Sequence, residues 1–274
     1  MEGDPEEYEK YYPNFYVELI AKTLECHLPL MQWSNEDILL DIGCGSGKVT
    51  KQILLPKCPK IKKIVATDAV AKAIDFAKIK YPHDKIEYKN QNIMERIDVQ
   101  DEKKYDKIFS SYAFHYFKDY DKLFSNISSL LKPGGYFTFL TIAKGPQIST
   151  RKVLAEASHL RPYLKSEEIL ESIPPTHDWE DVEYELTKLI SKYDLNAIKC
   201  VYEEFDVPFP SRDHFMKFME IVIPEQFFKE IPPETKKELW NQMETLFFKN
   251  GVREEGDKII FPNGILSVFG QKRN

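Results

Sequence analysis

The chain has 274 residues, 42% of them hydrophobic and 13% aromatic, which is enough for one large α/β domain and excludes a disordered or fibrous protein. Its 38 basic and 44 acidic residues leave a formal net charge of −6 with no block of consecutive Lys or Arg, a balance that disfavours a nucleic-acid partner. No stretch approaches the roughly 20 apolar residues of a membrane-spanning helix, and the start is acidic rather than a basic leader, so a cytoplasmic address is expected.

In chain order, the spacing of Phe15, Leu19, Ile20, Thr23 and Leu24 predicts a helix over Tyr8 to His27, started or kinked by Pro13. The apolar run Ile38 to Ile42 reads as a strand buried on both faces, and it feeds directly into glycines. A short helix from Lys48 to Leu55 ends near Pro56, then Lys63 to Asp68 reads as a strand and Val70 to Lys80 as a helix. Strands around Ile86–Tyr88 and Asp106–Ser111 follow, then a helix over Tyr120–Leu131, the turn Lys132-Pro133-Gly134-Gly135 and a β-rich run Tyr136–Ile142. Strands alternating with helices predict a Rossmann-like, doubly wound and mostly parallel sheet, here expected to have seven strands.

Beyond Ala143 the pattern becomes helical and Pro-punctuated. It continues with a helix at Glu183–Tyr193, a strand-like run Ala197–Phe205, and helices at Asp213–Ile223 and Pro233–Lys249. Pro262-Asn263-Gly264 between two apolar runs predicts a closing hairpin, because Asn-Gly suits its tight turn. The segment between Pro208 and Gly256 reads as a helical lid inserted before the last strand. The expectation is one domain: a helical cap over 1–35, a cofactor-binding core over 36–145, and substrate-side helices, lid and last strands over 146–274. Cys26, Cys44, Cys58 and Cys200 are scattered without metal-ligand spacing, so four reduced thiols and no metal are expected.

The chemistry concentrates in Asp41-Ile42-Gly43-Cys44-Gly45-Ser46-Gly47. Glycines at the end of a buried strand let backbone N–H groups and the next helix's N-terminus approach a ligand closely. A P-loop would need four residues between its first Gly and the Gly-Lys-Ser/Thr; here three separate Gly43 from Gly47, and Val49 follows Lys48. A dinucleotide fingerprint would need Gly at position 48, which is Lys. Asp68, closing the second strand, can accept two hydrogen bonds from ribose hydroxyls, or can cap the helix after Val70.

Asp-x-Gly-x-Gly-x-Gly after a strand resembles motif one of the Rossmann-like methyltransferases. The resemblance implies that the loop wraps the methionine part of S-adenosylmethionine, with S-adenosylhomocysteine as product. It places Asn92-Ile93 beside the adenine, Asn92 standing where many members have Asp, and puts Ser110 and Ser111 on the methionine side. The cofactor set so implied is Asp41, Gly43, Cys44, Gly45, Asp68, Ala69, Asn92, Ile93 and Ser110.

Further motifs narrow the resemblance. Ser110-Ser111-Tyr112-Ala113-Phe114-His115-Tyr116-Phe117, Asp119-Tyr120, Leu131-Lys132-Pro133-Gly134-Gly135, Ile173 to Asp178 and Phe261 to Phe269 are together similar to the juvenile hormone acid methyltransferases of insects. That family methylates the carboxylate of farnesoic acid or its epoxide, which implies a small-molecule isoprenoid acid as acceptor and a role in juvenile hormone biosynthesis. The chain departs from the family at Tyr116, where Trp is common, and at Val17, where Gln commonly follows an Asn by three residues. On this basis His115 and Tyr116 are the expected catalytic residues, and Tyr12 and Tyr16 join them in binding the acceptor. His115 could equally cap the turn after its strand. Methyl transfer to a carboxylate needs no general base, since a carboxylic acid is already ionised at neutral pH. Two alternatives stay open: another small carboxylic acid, and a non-catalytic domain that binds cofactor and partners another protein.

Overall fold

The computed structural model describes residues 3–229 and 231–274. Its centre is an eight-stranded sheet of order β3-β2-β1-β4-β5-β8-β6, with β7 paired to β8 alone. The first five strands, β1 (Ile38–Ile42), β2 (Lys63–Asp68), β3 (Ile86–Asn90), β4 (Tyr105–Ser111) and β5 (Leu131–Lys144), are parallel. The late strands β6 (Leu195–Phe209), β7 (Arg253–Glu255) and β8 (Lys258–Lys272) pair antiparallel. The strand order reverses at β1/β4, and in sheets of this kind ligands bind outside the carboxyl ends of the strands at that point.

Five positions follow from the residues themselves. β1 lies between β2 and β4 with Leu39, Leu40, Asp41 and Ile42 all buried, as a central parallel strand covered on both faces requires. The expected N-terminal helix is two, α1 (Pro5–Tyr11) and α2 (Asn14–His27), because Pro13 adopts an extended backbone at the N-cap of α2. After the glycine loop, a π-helical stretch Thr50–Leu54 runs into α3 (Leu55–Lys57), so the helix takes in Pro56 and ends one residue past it, near where expected. A proline in an α-helix clashes with the carbonyl four residues back; the wider π turn, closed by the Leu55 N–H on the Thr50 carbonyl, relieves this. Helix α4 (Ala71–Lys80) follows β2, and α5 (Tyr120–Leu130) follows β4. Asp119 caps α5 by accepting from the Lys122 N–H, and Tyr120, Leu123, Phe124, Ile127 and Leu130 form its buried stripe.

Past β5 come α6 (Pro146–Glu156), α7 (Ser166–Glu171) and α8 (Val182–Ser191), and between β6 and β7 the helices α9 (Arg212–Val222) and α10 (Pro233–Lys249). The expected hairpin at Pro262-Asn263-Gly264 is absent: β8 runs straight through it. Pro262 pairs with Asp206 of β6, while on the other side β5 stops at Gly264 and β7 starts at Ile260. A residue without an N–H is tolerated in that gap. Asn263 is buried, donating to the Tyr16 hydroxyl at 3.1 Å and the Phe261 carbonyl at 3.3 Å, so its side chain serves packing and not a turn. The strand count is eight where seven were expected, because the chain leaving α10 adds the three-residue β7.

The core falls into three main clusters. One lies between the sheet and α5 and α8, one between the sheet, α2 and α4, and one beneath α9 and α10, where Phe209, Phe215, Phe247 and Phe261 pack on Tyr16 and Met219. The last is the core of the segment expected to form a lid. Among the described residues no helix is long and apolar enough to cross a membrane.

Candidate active site

At the carboxyl ends of β1, β2 and β4 lies a cavity of about 390 Å³. Of the thirteen expected site residues, Asp41, Gly43, Cys44, Gly45, Asp68, Ala69, Asn92, Ile93, Tyr12 and Tyr116 line it. Tyr16 and His115 line a second cavity of about 50 Å³, which shares Tyr8, Tyr12, Tyr112 and Tyr116 with the first. Ser110 lines neither: buried in the sheet, it donates its hydroxyl to the Ile42 carbonyl, and the neighbouring Ser111 faces the large cavity.

The glycine loop is built by close approach. Gly43 has φ +75°, and a Cβ there would sit 2.3 Å from the Ala113 Cβ, so the turns after β1 and β4 touch and only glycine fits. The Gly43 and Cys44 N–H groups both donate to the Thr67 carbonyl, and the Gly45 N–H donates to Asp68 Oδ2 at 2.9 Å. Asp68 Oδ1 accepts from the Val70 N–H at 2.9 Å, so the carboxylate bridges the loop and the start of α4 while lining the cavity. Its helix-capping reading and its ligand-facing reading therefore coexist, since each carboxylate oxygen has a further lone pair. Asp41 accepts from the Thr50 hydroxyl at 2.6 Å, and burial, against that hydrogen bond, pushes its carboxyl up to about 7. Asn92 uses its amide oxygen on the Met94 N–H at 3.0 Å, with Ile93 forming the apolar wall beside it.

Helices α1 and α2 close the cavity from above with Tyr8, Glu9, Tyr12, Asn14 and Val17. Glu9 accepts from the Tyr81 hydroxyl at 2.8 Å through Oε2, while its buried Oε1 has no partner. The tyrosines pack in sequence with tilted rings, their centroids 4.9 Å apart for Tyr8 and Tyr12, 5.6 Å for Tyr12 and Tyr16 and 4.7 Å for Tyr16 and Tyr112. Tyr112 closes β4 with φ +52°, a strained backbone for a bulky residue, and its buried hydroxyl has no partner. Tyr116 donates to the Val222 carbonyl at 3.1 Å, tying the core to α9.

His115 is 6% exposed, its ring 4.2 Å from that of Tyr116, and burial together with the nearby Arg151 pushes it down to about 3. It is neutral across the physiological range. Burial raises the hydroxyls of Tyr8, Tyr12, Tyr16, Tyr112 and Tyr116, so none ionises there either. Sequence reasoning missed Tyr8, Glu9, Tyr112, Gln147 and Arg151. Tyr112 lies within the motif Ser110 to Phe117, which by itself gives it no role, and Gln147 and Arg151 sit on α6, which no local pattern ties to β4.

Residues 40–139 match the model of a methyltransferase domain. Over 257 residues, 92% of this chain and 91% of the relative, the sequence is 23% identical to juvenile hormone acid O-methyltransferase of Bombyx mori. It is 28% identical over 164 residues, 58% of each chain, to malonyl-[acyl-carrier protein] O-methyltransferase of Marinomonas sp. (strain MWYL1). The fold is shared with Haemonchus contortus phosphoethanolamine N-methyltransferase 2, solved with S-adenosylhomocysteine, at TM-score 0.53 and 15% identity over 98% of this chain and 57% of that one. The glycine loop, the strand order and these likenesses agree: residues 40–139 match a methyltransferase domain and lie in a Rossmann-like sheet.

Proposed function

We propose that the chain is a carboxyl O-methyltransferase acting on a small hydrophobic acid, with farnesoic acid or juvenile hormone acid as the first candidate. The observation that carries this reading is the absence of a usable base among the described residues lining the smaller cavity. His115, pushed down to about 3 by burial and by Arg151, is a weak proton acceptor, the tyrosine hydroxyls hold their protons, and none of the lining residues is Asp or Glu. An alcohol acceptor would have to give up a proton there; a carboxylate has none to lose.

The large cavity fits the cofactor by its donor set. It offers Asp41, Asp68 and the unpartnered Glu9 oxygen for ammonium and hydroxyl groups, a glycine turn too tight for a Cβ, and Ile93 as an apolar wall. Asp41, Gly43, Cys44 and Gly45 would hold the methionine part with Ser111, Asp68 and Ala69 the ribose, and Asn92 and Ile93 the adenine. When bound, S-adenosylmethionine supplies an electrophilic methyl group whose transfer turns the sulfonium into a neutral thioether. The chain's residues orient the acceptor oxygen and exclude water; His115, Tyr116, Tyr12 and Tyr16 would do the first, and α9 and α10 the second. The three-part division into cap (1–35), core (36–145) and substrate side (146–274) corresponds to these tasks.

A second reading, a smaller acid on the same site, is favoured by the acceptor cavity's volume of about 50 Å³. One water occupies about 10–15 Å³ by this measure, so the closed cavity holds a few waters and not an isoprenoid chain. The relative from Marinomonas acts on a malonyl group. Incubation with methyl-labelled cofactor and a panel of acids, followed by mass spectrometry of the esters, separates the readings. Transfer to farnesoic acid supports the first, exclusive transfer to a short hydrophilic acid the second, and transfer only to amines or alcohols overturns both.

A further inference from the structure

The smaller cavity contains a cation with no counter-ion among the described residues. Arg151, on α6, is 4% exposed. Its Nη1 donates to the Ser172 carbonyl and hydroxyl at 3.2 and 3.1 Å, its Nη2 reaches the His115 carbonyl at 3.5 Å, and its Nε–H has no acceptor. The guanidinium lies 5.9 Å from the Tyr116 ring centroid. Burying a guanidinium on neutral acceptors is expensive, and such charges are normally paired with an anion. Burial pulls it down only to about 10, so the charge remains at neutral pH.

The same cavity gathers further unmatched groups. His115 Nδ1, Gln147 Oε1 and the Tyr112 hydroxyl are all buried without a partner, and all three residues line it beside Arg151. A Gln amide can present either its NH₂ or its oxygen, and a neutral imidazole can carry its proton on Nδ1. One permanent cation and up to three neutral donors facing one small space form an anion-binding constellation. A planar carboxylate suits it, because a guanidinium presents parallel N–H donors to its oxygens.

We propose that Arg151, with His115, Gln147 and Tyr112, binds the carboxylate of the acceptor, so that the site selects acids over neutral molecules of the same shape. This rests on the carboxyl-acceptor reading and adds to it the residue that recognises charge. Gln147 and Arg151 lie one helical turn apart on α6, and the N-terminal end of that helix begins where β5 ends, so the anchor is set by the core and not by the lid.

The test compares farnesoic acid, methyl farnesoate and farnesol by calorimetry on the chain loaded with S-adenosylhomocysteine, together with turnover of farnesoic acid. In the wild type the acid binds at least tenfold more tightly than the ester or the alcohol. Arg151→Gln abolishes that preference and raises KM for the acid tenfold or more, with S-adenosylhomocysteine affinity kept within twofold as the check on folding; Arg151→Lys recovers part of the preference. Equal wild-type affinity for acid and ester overturns the anchor without recourse to any variant. Unchanged KM in Arg151→Gln overturns it while the carboxyl reading stands, and a wild type that methylates neither farnesoic acid nor any short acid of the panel overturns the two together.

Discussion

At the scale of single residues, three positions make the site's chemistry measurable. Asp41 is the pH-sensitive one: burial raises its carboxyl from an ordinary 3.8 to about 7. The folded chain without ligand therefore holds this proton more tightly than the unfolded chain. Its contribution to stability is complete below about pH 4 and is lost as pH rises through about 7. A ligand ammonium beside Asp41 favours the ionised form, so binding below pH 7 must expel the proton. Affinity for S-adenosylhomocysteine should then fall by up to about tenfold per pH unit between 7 and 5, and Asp41→Asn should flatten the profile. A flat wild-type profile by calorimetry would contradict this. Gly43→Val should abolish cofactor binding in a chain that still folds by circular dichroism, because its Cβ meets Ala113 at 2.3 Å in a φ of +75°. His115→Ala should lower kcat by about 100-fold at most, the scale of a positioning defect, and the wild-type rate should show no step near pH 6.5. A step at saturating cofactor that survives in Asp41→Asn and disappears in His115→Ala would mean that His115 takes a proton.

At the scale of elements, what could be read from the sequence was whatever local chemistry determines. β1 and β2 begin and end where their apolar runs do, and the glycine loop lies where its spacing put it, because a buried strand and a tight turn are specified by adjacent residues. Long-range packing explains the misses. Asn263-Gly264 has the dipeptide of a hairpin, yet the Asn263 amide nitrogen donates to the hydroxyl of Tyr16, which lies 247 positions away, and the strand runs on. Ser110 and Ser111 are neighbours of one residue type; the alternation of a strand gives one to the sheet interior and the other to the cavity. Arg151 and Gln147 could not be assigned to the site without knowing that α6 folds back over the turn after β4. The Asn263–Tyr16 bond joins strand β8 to α2, so Asn263→Ala should cost about 1–3 kcal/mol and lower Tm by several degrees. Tyr116→Phe removes the bond to the Val222 carbonyl at the end of α9. About 1 kcal/mol is at stake there, and amide exchange in α9 should quicken roughly fivefold while exchange in β4 is unaffected.

At the scale of the whole molecule, the proposed acceptor site sits where the cluster beneath α9 and α10 meets the clusters of the parallel strands. The sheet's own clusters hold β1, β4 and the glycine loop, whereas α9 and α10 close on a cluster built from Phe209, Phe215, Phe247 and Phe261. Tyr12, Tyr16 and Tyr112 pack on that cluster while facing the cavity, so they form the seam. With about 50 Å³ available beside His115, an isoprenoid acid can enter only if α9 and α10 move, and the chain entering and leaving that segment is confined to β6 on one side and β7 on the other. Opening exposes the apolar surface that α9 and α10 share with α2, α6, β6 and β8, and leaves the pairing of the parallel strands intact. Hydrogen exchange should consequently be faster in α9 and α10 than in β1 and β4 before any ligand is added. Farnesoic acid with S-adenosylhomocysteine should slow the two helices and leave the strands unchanged, because an apolar chain held between the clusters replaces the contacts that opening breaks. A short hydrophilic acid fits without displacing the helices and should leave their exchange where it was. If the helices exchange as slowly as β4 from the start and farnesoic acid changes nothing, the closed cavity is the working one and the smaller acid is the acceptor.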